Sequence, residues 1–405
     1  MSQPHNDKTA HAQATLSLPE FVTLMALLTS LVALSIDTML PALSMIGDDL
    51  NSPSMQHTHM IITLFFFGMA FGQLVFGPIC DSFGRRFGVY LGSLIFCLGT
   101  LICMAATTME VMLLGRLIQA FGVSGPRIAT MAMIRDIYVG DRMARVMSFI
   151  MVVFIMVPMM APIIGQAILR YFTWHYIFAF FFVMVILSVL WLVLRQPETL
   201  AKADRRKFTW SEFFIASRFI LTHREVWPYM LGIGLVFGGF LGYLGATQTI
   251  FVGFYDVGDW FAYIFAALAF SIGCASLVNA HLVERLGMVR LCQLALRGHL
   301  LLSVMFVIAQ ILYQGLAPLV VTIGLLFVNF FFVGILFGNI NSLAMEPLGE
   351  VAGLGAALLG AVSSVVAVLI ALVVDAFLVD TLIPIGIGFV SCCILTMTLF
   401  KYARN

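Results

Sequence analysis

Gly77-Pro-Ile-Cys-Asp-Ser-Phe-Gly-Arg-Arg86 separates two long apolar runs, Met60–Phe76 and Phe87–Met104. A short segment carrying Asp81, Arg85 and Arg86 between two such runs reads as a tight loop at a membrane surface. A related stretch recurs as Leu282-Val-Glu-Arg-Leu-Gly-Met-Val-Arg290. Asp81 and Glu284 are 203 residues apart, as are Gly84 and Gly287, about half of the 405 residues. The chain therefore reads as two similar halves, each with an acidic–glycine–basic turn after its second span.

Composition sets the class. The chain is 61% hydrophobic and 10% charged, against about 45–50% and about 25% in soluble domains. That apolar content suffices for twelve spans of ~20 residues and excludes a soluble core of this size. The expected fold is all-α and integral to the membrane: twelve transmembrane helices in two pseudo-symmetric six-helix bundles. The seven cysteines lie mostly inside apolar runs and show no CxxC spacing, so neither a disulfide framework nor a metal site is expected.

Spans are placed near 21–43, 58–79, 87–107, 110–133, 143–168, 174–194, 227–252, 260–281, 290–312, 316–341, 351–374 and 380–401. This gives a tail (1–20), a first bundle (21–194), a central loop (195–226), a second bundle (227–401) and a short tail (402–405). The first span follows a polar start without a small-residue cleavage site and reads as retained. One set of loops is basic (Arg85, Arg86, Arg135, Arg142, Arg145, Arg195, Lys202, Arg205, Arg206, Lys207, Arg218, Arg224, Arg285, Arg290). The tails add Lys8, Lys401 and Arg404. The alternate loops hold Asp48, Asp49, Glu110, Asp256, Asp259 and Asp380, with Arg170 as their only base. The positive-inside rule then makes both termini and the central loop cytoplasmic. Within that loop Trp210, Phe213, Phe214, Ser217, Ile220 and Leu221 predict an amphipathic helix on the inner leaflet.

Charges inside spans are costly and mark function. Asp37 and Arg116 each sit about six residues from the outer end of their spans, hence ~9 Å deep. Such a pair reads either as a site that binds and releases a proton or as a static ion pair that fixes packing. Arg127 follows Gly122, Gly125 and Pro126. It can snorkel to the inner surface, contact the Asp81 loop or line a cavity. Arg297 and His299 read as snorkelling side chains. Pro158, Pro162 and Gly165 predict a bent, tightly packed fifth span. Gln119, Thr247, Gln248, Asn329, Asn339 and Asn341 are the polar candidates for a cavity among 37 Phe and 24 Met residues, a lining suited to amphiphilic ligands. Asp37 is the only clear mid-span acid. Neutral, zwitterionic or anionic substrates are therefore expected over dicationic ones.

The stretch Gly77–Arg86 resembles the G-x-x-x-D-x-x-G-R-R loop of the major facilitator superfamily. Leu114–Gly122, with Arg116, Gln119 and Gly122, is similar to its R-x-x-Q-x-x-G motif, and Pro158–Gly165 to its antiporter-associated span-5 motif. Asp37-Thr-Met-Leu-Pro41, Arg135-Asp136, Trp174–Phe178 and Pro197-Glu-Thr-Leu200 resemble drug:proton antiporters of the bicyclomycin/chloramphenicol-resistance (Bcr/CflA) type. Asn339–Pro347 and Ala352–Gly360 match more loosely. The resemblance implies export of small amphiphilic compounds by alternating access, driven by protons as the coupling ion, in a bacterial inner membrane. It assigns proton coupling to Asp37 and Arg116. It assigns a cytoplasmic latch between the halves to Gly77, Asp81, Gly84, Arg85 and Arg86, with Glu284 and Arg285 opposite. Met288-Val289 replaces the basic pair in the second half, and Arg127 lies outside the general motif.

A dedicated exporter of one compound, such as a siderophore, and a proton-coupled importer would share this pattern. A non-transporting sensor would bind ligand without moving it. A membrane enzyme would need a clustered catalytic or metal constellation, and the eight histidines are scattered, with His57 and His59 placed in an outer loop and His175 alone. The expectation is a monomeric transporter with no catalytic residues, cofactor or nucleic-acid partner.

Overall fold

The computed structural model describes residues 16–138, 140–205 and 210–404. The expected tail through residue 15, Arg206 and Lys207, and the side chains of Arg145, Trp210, Phe213, Phe214 and Arg404 lie outside the described residues.

Apolar runs of span length give helices throughout. In chain order these are α1 (Leu18–Asp37), α2 (Leu43–Asp49), α3 (Met55–Phe83), α4 (Arg85–Met104), α5 (Met109–Ile137), α6 (Gly140–Leu169), α7 (His175–Arg195), α8 (Trp210–Thr222), α9 (Val226–Gln248), α10 (Phe261–Leu286), α11 (Met288–Leu312), α12 (Leu319–Met345), α13 (Ala352–Ala376) and α14 (Ile383–Arg404). Among the described residues eleven spans are long and apolar enough to cross a membrane, the first combining α1 and α2. The remaining expected span is α6, whose described apolar portion is Met156–Leu169.

The surface is apolar where a soluble protein would be polar. Leu187, Leu190 and Leu194 on α7, Leu301 and Ile308 on α11 and Val320 on α12 are exposed. Buried hydroxyls turn inward and bond to their own helices. Thr29 donates to the Met25 carbonyl (2.8 Å), Ser35 to Leu31 (2.6 Å) and Thr100 to Phe96 (2.7 Å). In hydrocarbon such back-bonding is the nearest partner a hydroxyl can find.

In the first half α5 packs along α3 and α4, and α1 packs on α5, α6 and α7; in the second, α9 packs along α12, α13 and α14. Between the halves α3 lies along α13 and α6 along α10. Exchanging the halves converts one of these contacts into the other, as two-fold pseudo-symmetry requires.

The loop predicted at 77–86 is shorter than expected. Gly77–Phe83 is helical, and the turn is the single residue Gly84 (φ +109°). Gly287 (φ +73°) makes the same one-residue turn in the second half, which only glycine adopts freely. One end of the molecule therefore carries the Gly84 and Gly287 turns with Arg85, Arg86 and Arg285, and is called here the basic face. The opposite end, with Asp48, Asp49, Glu110, Asp259 and Asp380, is the acidic face. On the basic side α8 packs on α9 and α13, with Ile220 buried against Val226, Leu348 and Leu358. Leu221, expected on the same apolar stripe, is exposed.

The first span is longer than the sequence suggests and is broken. Proline has no N–H, so Pro41 cannot donate to the carbonyl of Asp37, four residues earlier. The helix stops at Asp37, tightens into a 3₁₀ turn at Leu40–Ala42 and resumes as α2. Gly165 of α6 presses on this break: a methyl group at its Cα would lie 1.9 Å from the Thr38 carbonyl oxygen. Gly165→Ala is expected to push α6 from the break and destabilise the protein by about 1–3 kcal/mol. Thermal unfolding in detergent checks this; an unchanged midpoint would refute the close approach.

Candidate functional site

The break places Asp37 deeper than predicted. Counted back from Asp49, twelve residues at 1.5 Å put it roughly 18 Å below the acidic end of its span. Asp37 is 6% exposed, and its side chain forms no hydrogen bond or ion pair among the described residues. The Thr38 hydroxyl beside it is likewise buried without a partner.

Arg116 is fully buried in the first half. Its Nε donates to the Ile61 carbonyl (3.3 Å) and Nη1 to Gln119 Oε1 (2.5 Å), while Gln119 Nε2 donates to Thr100 Oγ1 (2.8 Å). The guanidinium lies over the Phe65 ring at 4.3 Å, a cation–π contact. Nη2 is buried and has no partner among the described residues. Asp37 and Arg116 do not touch here. Each keeps an unspent valence of the opposite kind: an acceptor without a donor and a donor without an acceptor.

Arg127 corrects an expectation of depth. Helical side chains point back toward the helix N-terminus. Its Nη1 accordingly reaches Met69 Sδ (3.3 Å), midway along α3, rather than the basic surface or the Asp81 turn. No carboxylate pairs with it among the described residues.

Most polar residues assigned to a cavity are engaged elsewhere, because an amide in a dry interior bonds to whatever neighbour it has. Gln119 serves Arg116. Thr247 donates to its own helix at Tyr243 (2.8 Å). Asn329 bonds to His299 and donates to Ser303 (3.0 Å) inside the second half, so His299 is an interior residue and does not snorkel. Asn339 donates to Asn279 (2.5 Å) and the Ile335 carbonyl (2.8 Å), while Asn341 is exposed near the basic end of α12.

Gln248 has the most consequential position. The break after Asp37 frees the Pro41 carbonyl and the Ser44 N–H from their helical partners. Gln248, at the end of α9 in the other half, bonds to both: Ser44 N donates to Oε1 (2.7 Å), and Nε2 donates to Pro41 O (2.9 Å) and Ser44 Oγ (2.9 Å). Other inter-half bonds cluster at the same face. Gln56 donates to the Leu378 carbonyl (2.9 Å), Gln166 to Asp259 (3.1 Å), and His59 meets Asp375 and Thr249. Sequence reasoning missed His59 and Asp375. α3 begins at Met55, so His59 lies within a helix and not in a loop, and Asp375 falls one residue past the expected span 351–374 and was not singled out.

At the basic face the polar bonds stay within the first half. Arg85 pairs with Asp81 and with Asp136 (3.0 Å), Thr199 donates to Asp136 (2.7 Å), and the Arg86 guanidinium donates to Tyr90 (2.7 Å) and the Val193 carbonyl (3.1 Å). The Glu198 carboxylate caps α4, accepting from the backbone N–H of Arg85 (2.9 Å) and Arg86 (3.1 Å). The side-chain hydrogen bonds and ion pairs described for Asp81, Arg85 and Arg86 thus run to partners in the first half. Glu284 and Arg285 are exposed and bond to nothing among the described residues. Met288-Val289 supplies no counterpart to Arg85 and Arg86.

A model described as Major Facilitator Superfamily matches residues 25–372 of the chain. The chain belongs to this superfamily. A bicyclomycin resistance protein homolog of Haemophilus influenzae is 29% identical over 95% of the chain and 96% of its own length. The multidrug resistance protein MdtL of Salmonella paratyphi B is 29% identical over 50% of the chain and 52% of its own length. The crystal structure of a D-xylose-proton symporter superposes with a TM-score of 0.74 at 14% identity, covering 94% of the chain and 97% of the symporter, a likeness of fold. The chain is thus a multi-pass transporter and not an enzyme.

The Glu198 cap gives a measurable expectation. Glu198→Ala leaves two amides at the start of α4 unbonded and is expected to cost about 1–2 kcal/mol. Hydrogen exchange should rise at the first turn of α4; unchanged protection there would discount the cap.

Proposed function

We propose that the transporter exports small amphiphilic compounds, drugs among them, in exchange for protons. The basic face is cytoplasmic by the positive-inside rule, and the membrane is a bacterial inner membrane, in keeping with the bacterial relatives. The two bundles, 21–194 and 227–401, rock about a central site. The conformation described here is closed at the acidic, outer face.

One observation carries the reading. Asp37 is a buried carboxylate without a partner among the described residues, set at a helix break, in the half that also holds Arg116, whose Nη2 is likewise unpaired among them. An ionised carboxylate cannot stay unpaired in a dry site. In the closed form Asp37 is stable as the protonated acid. When the site is wetted, or when movement of α1 brings Asp37 to Arg116 Nη2, the carboxylate is stabilised and the proton leaves. Alternation between these environments makes Asp37 the proton carrier and Arg116 its tuner. The names of the bicyclomycin and multidrug resistance relatives support drugs as cargo.

A narrower reading has its own observation. Arg127, half-buried at the depth of the α3 midpoint without a carboxylate partner, favours a cargo bearing an anionic group, and hence a dedicated exporter.

The test is a susceptibility panel in a host stripped of its own efflux pumps, comparing wild type, Asp37→Asn, Arg116→Lys and empty vector at matched expression. Wild type should protect against several unrelated amphiphiles. Asp37→Asn should lose about tenfold or more of proton-driven transport, equivalent to ~1.4 kcal/mol. Arg116→Lys should also fail, because an ammonium cannot hold the fork-shaped contacts of the guanidinium. Undiminished transport by Asp37→Asn would overturn the coupling role, and protection by no compound would overturn drug export.

A further inference from the structure

Three side chains that the coupling scheme does not use meet at the acidic face. His59 lies near the start of α3, and Asp375 one residue before the end of α13. Thr249 stands where α9 widens into the π-helical stretch Thr249–Phe254. His59 Nδ1 is 2.6 Å from Asp375 Oδ1, and His59 Nε2 is 2.8 Å from Thr249 Oγ1. His59 is 3% exposed and Asp375 8%. An ionised carboxylate only accepts, so Nδ1 carries the bridging proton. The Thr249 hydroxyl can rotate, donating to Nε2 of a neutral imidazole or accepting from an imidazolium. The cluster thus accommodates either charge state of His59 without moving a heavy atom.

Position gives this pair its consequence. His59 belongs to the first half, Asp375 and Thr249 to the second, and α3 lies along α13. Opening the acidic face must separate these helices, break the 2.6 Å contact and bring both groups to water. We propose that His59 and Asp375 form a second proton-binding site, whose ion pair clamps the acidic face shut and whose proton exchanges with the medium on that side. In the closed form the imidazolium donates from Nδ1 to the ionised carboxylate. On opening, the His59 imidazolium loses the carboxylate that held its charge and releases one proton to the medium, leaving Asp375 ionised; on closing His59 takes up one proton as the pair re-forms. By linkage, the closed form holds the extra proton, so acid at this face favours the closed form and the clamp weakens as pH rises through the histidine range.

The elements around the pair carry other titratable or charged groups: His57 on α3, Asp48 and Asp49 on α2, Glu110 and Arg116 on α5, and Tyr243 on α9. Tyr255 and Asp256 follow the π-helical stretch, and Asp380 follows α13. None of these hydrogen-bonds to His59 or Asp375 among the described residues; Asp49 instead accepts from Trp174 Nε1 (2.7 Å) and Tyr255 bonds to the Ala317 carbonyl and Thr322. The proposal needs alternating access but neither a particular cargo nor a direction of transport, so it stands or falls separately from drug export.

The test reads distance and not transport. In the purified full-length protein, with Cys274→Ser to remove the half-buried cysteine and the other six buried, spin labels are attached at Pro53→Cys and Val379→Cys. These positions are exposed at the acidic ends of α3 and α13. Pulsed-resonance distances are recorded at pH ~8 and pH ~5, spanning the range in which histidine changes charge. Wild type should give a short distance at the lower pH and gain a longer population at the higher. Asp375→Asn and His59→Gln should show the longer population at both, with the ratio shifted about tenfold at pH ~5. The exchanged pair, His59→Asp with Asp375→His, should restore the short distance there. A wild-type distance that does not respond to pH overturns the proposal, whatever the folding of the variants. So does a pH response that persists unchanged in Asp375→Asn.

Discussion

A polar group inside the bilayer has no water to fall back on, and leaving it unpaired costs ~2–7 kcal/mol. This constraint sorts the buried polar residues of the transporter into two populations. Those paired within one half, such as Gln119 with Arg116 and Thr100, or Asn329 with His299 and Ser303, keep their partners however the halves move. Those paired between halves, such as Gln248 with the Ser44 N–H or His59 with Asp375, must exchange partners in every cycle. Asp37 belongs to neither population in this conformation. Under the proposed exchange with protons, Asp37 is the carboxylate whose protonation follows the movement of the halves.

The same constraint explains why the helix break and the acidic-face contacts belong together. Pro41 ends α1 at Asp37 and leaves backbone groups that no helix turn satisfies. Gln248 supplies the missing partners from across the interface. The break that shapes the surroundings of Asp37 is therefore held by a residue of the opposite half. Separating the halves at this face strips the Pro41 carbonyl and Ser44 N–H of their partner unless water enters. Access at the acidic face and the environment of Asp37 are joined through three hydrogen bonds to one amide.

Much of this architecture was legible in the sequence. The spans follow from apolar runs, and the repeated turn was visible in the spacing of Gly84 and Gly287, which share a positive φ and a one-residue geometry. The extent of the site was less legible. Pro41 marked a break, but a hydropathy reading ended the span near Leu43 and placed Asp37 too close to the surface. Arg127 was placed by its Cα, whereas its long side chain runs back toward the middle of α3. His59 and Asp375 are 316 residues apart, and Ser44 and Gln248 are 204 apart. Pairing at such separations leaves no local pattern, because each partner alone looks like an ordinary polar residue near a span end.

Pseudo-symmetry reaches the backbone but not the chemistry. The α3–α13 and α6–α10 contacts are exchanged by the same two-fold operation, yet their polar links differ in kind. At the acidic face the first carries a buried imidazole–carboxylate pair, whereas the second carries an exposed amide, Gln166, against Asp259. A solvent-exposed bond trades readily with water and contributes little to holding the faces together. A buried charged pair does not trade until both members are wetted. The two symmetry-related seams therefore open against unequal resistance. At the basic face Leu74 of the first half packs beside Leu348 and Leu354 of the second. Contacts of that kind slide without stranding a polar group. The proposed clamp would place charge-dependent resistance at the acidic end of α3 and α13, on one seam and not on its symmetry mate.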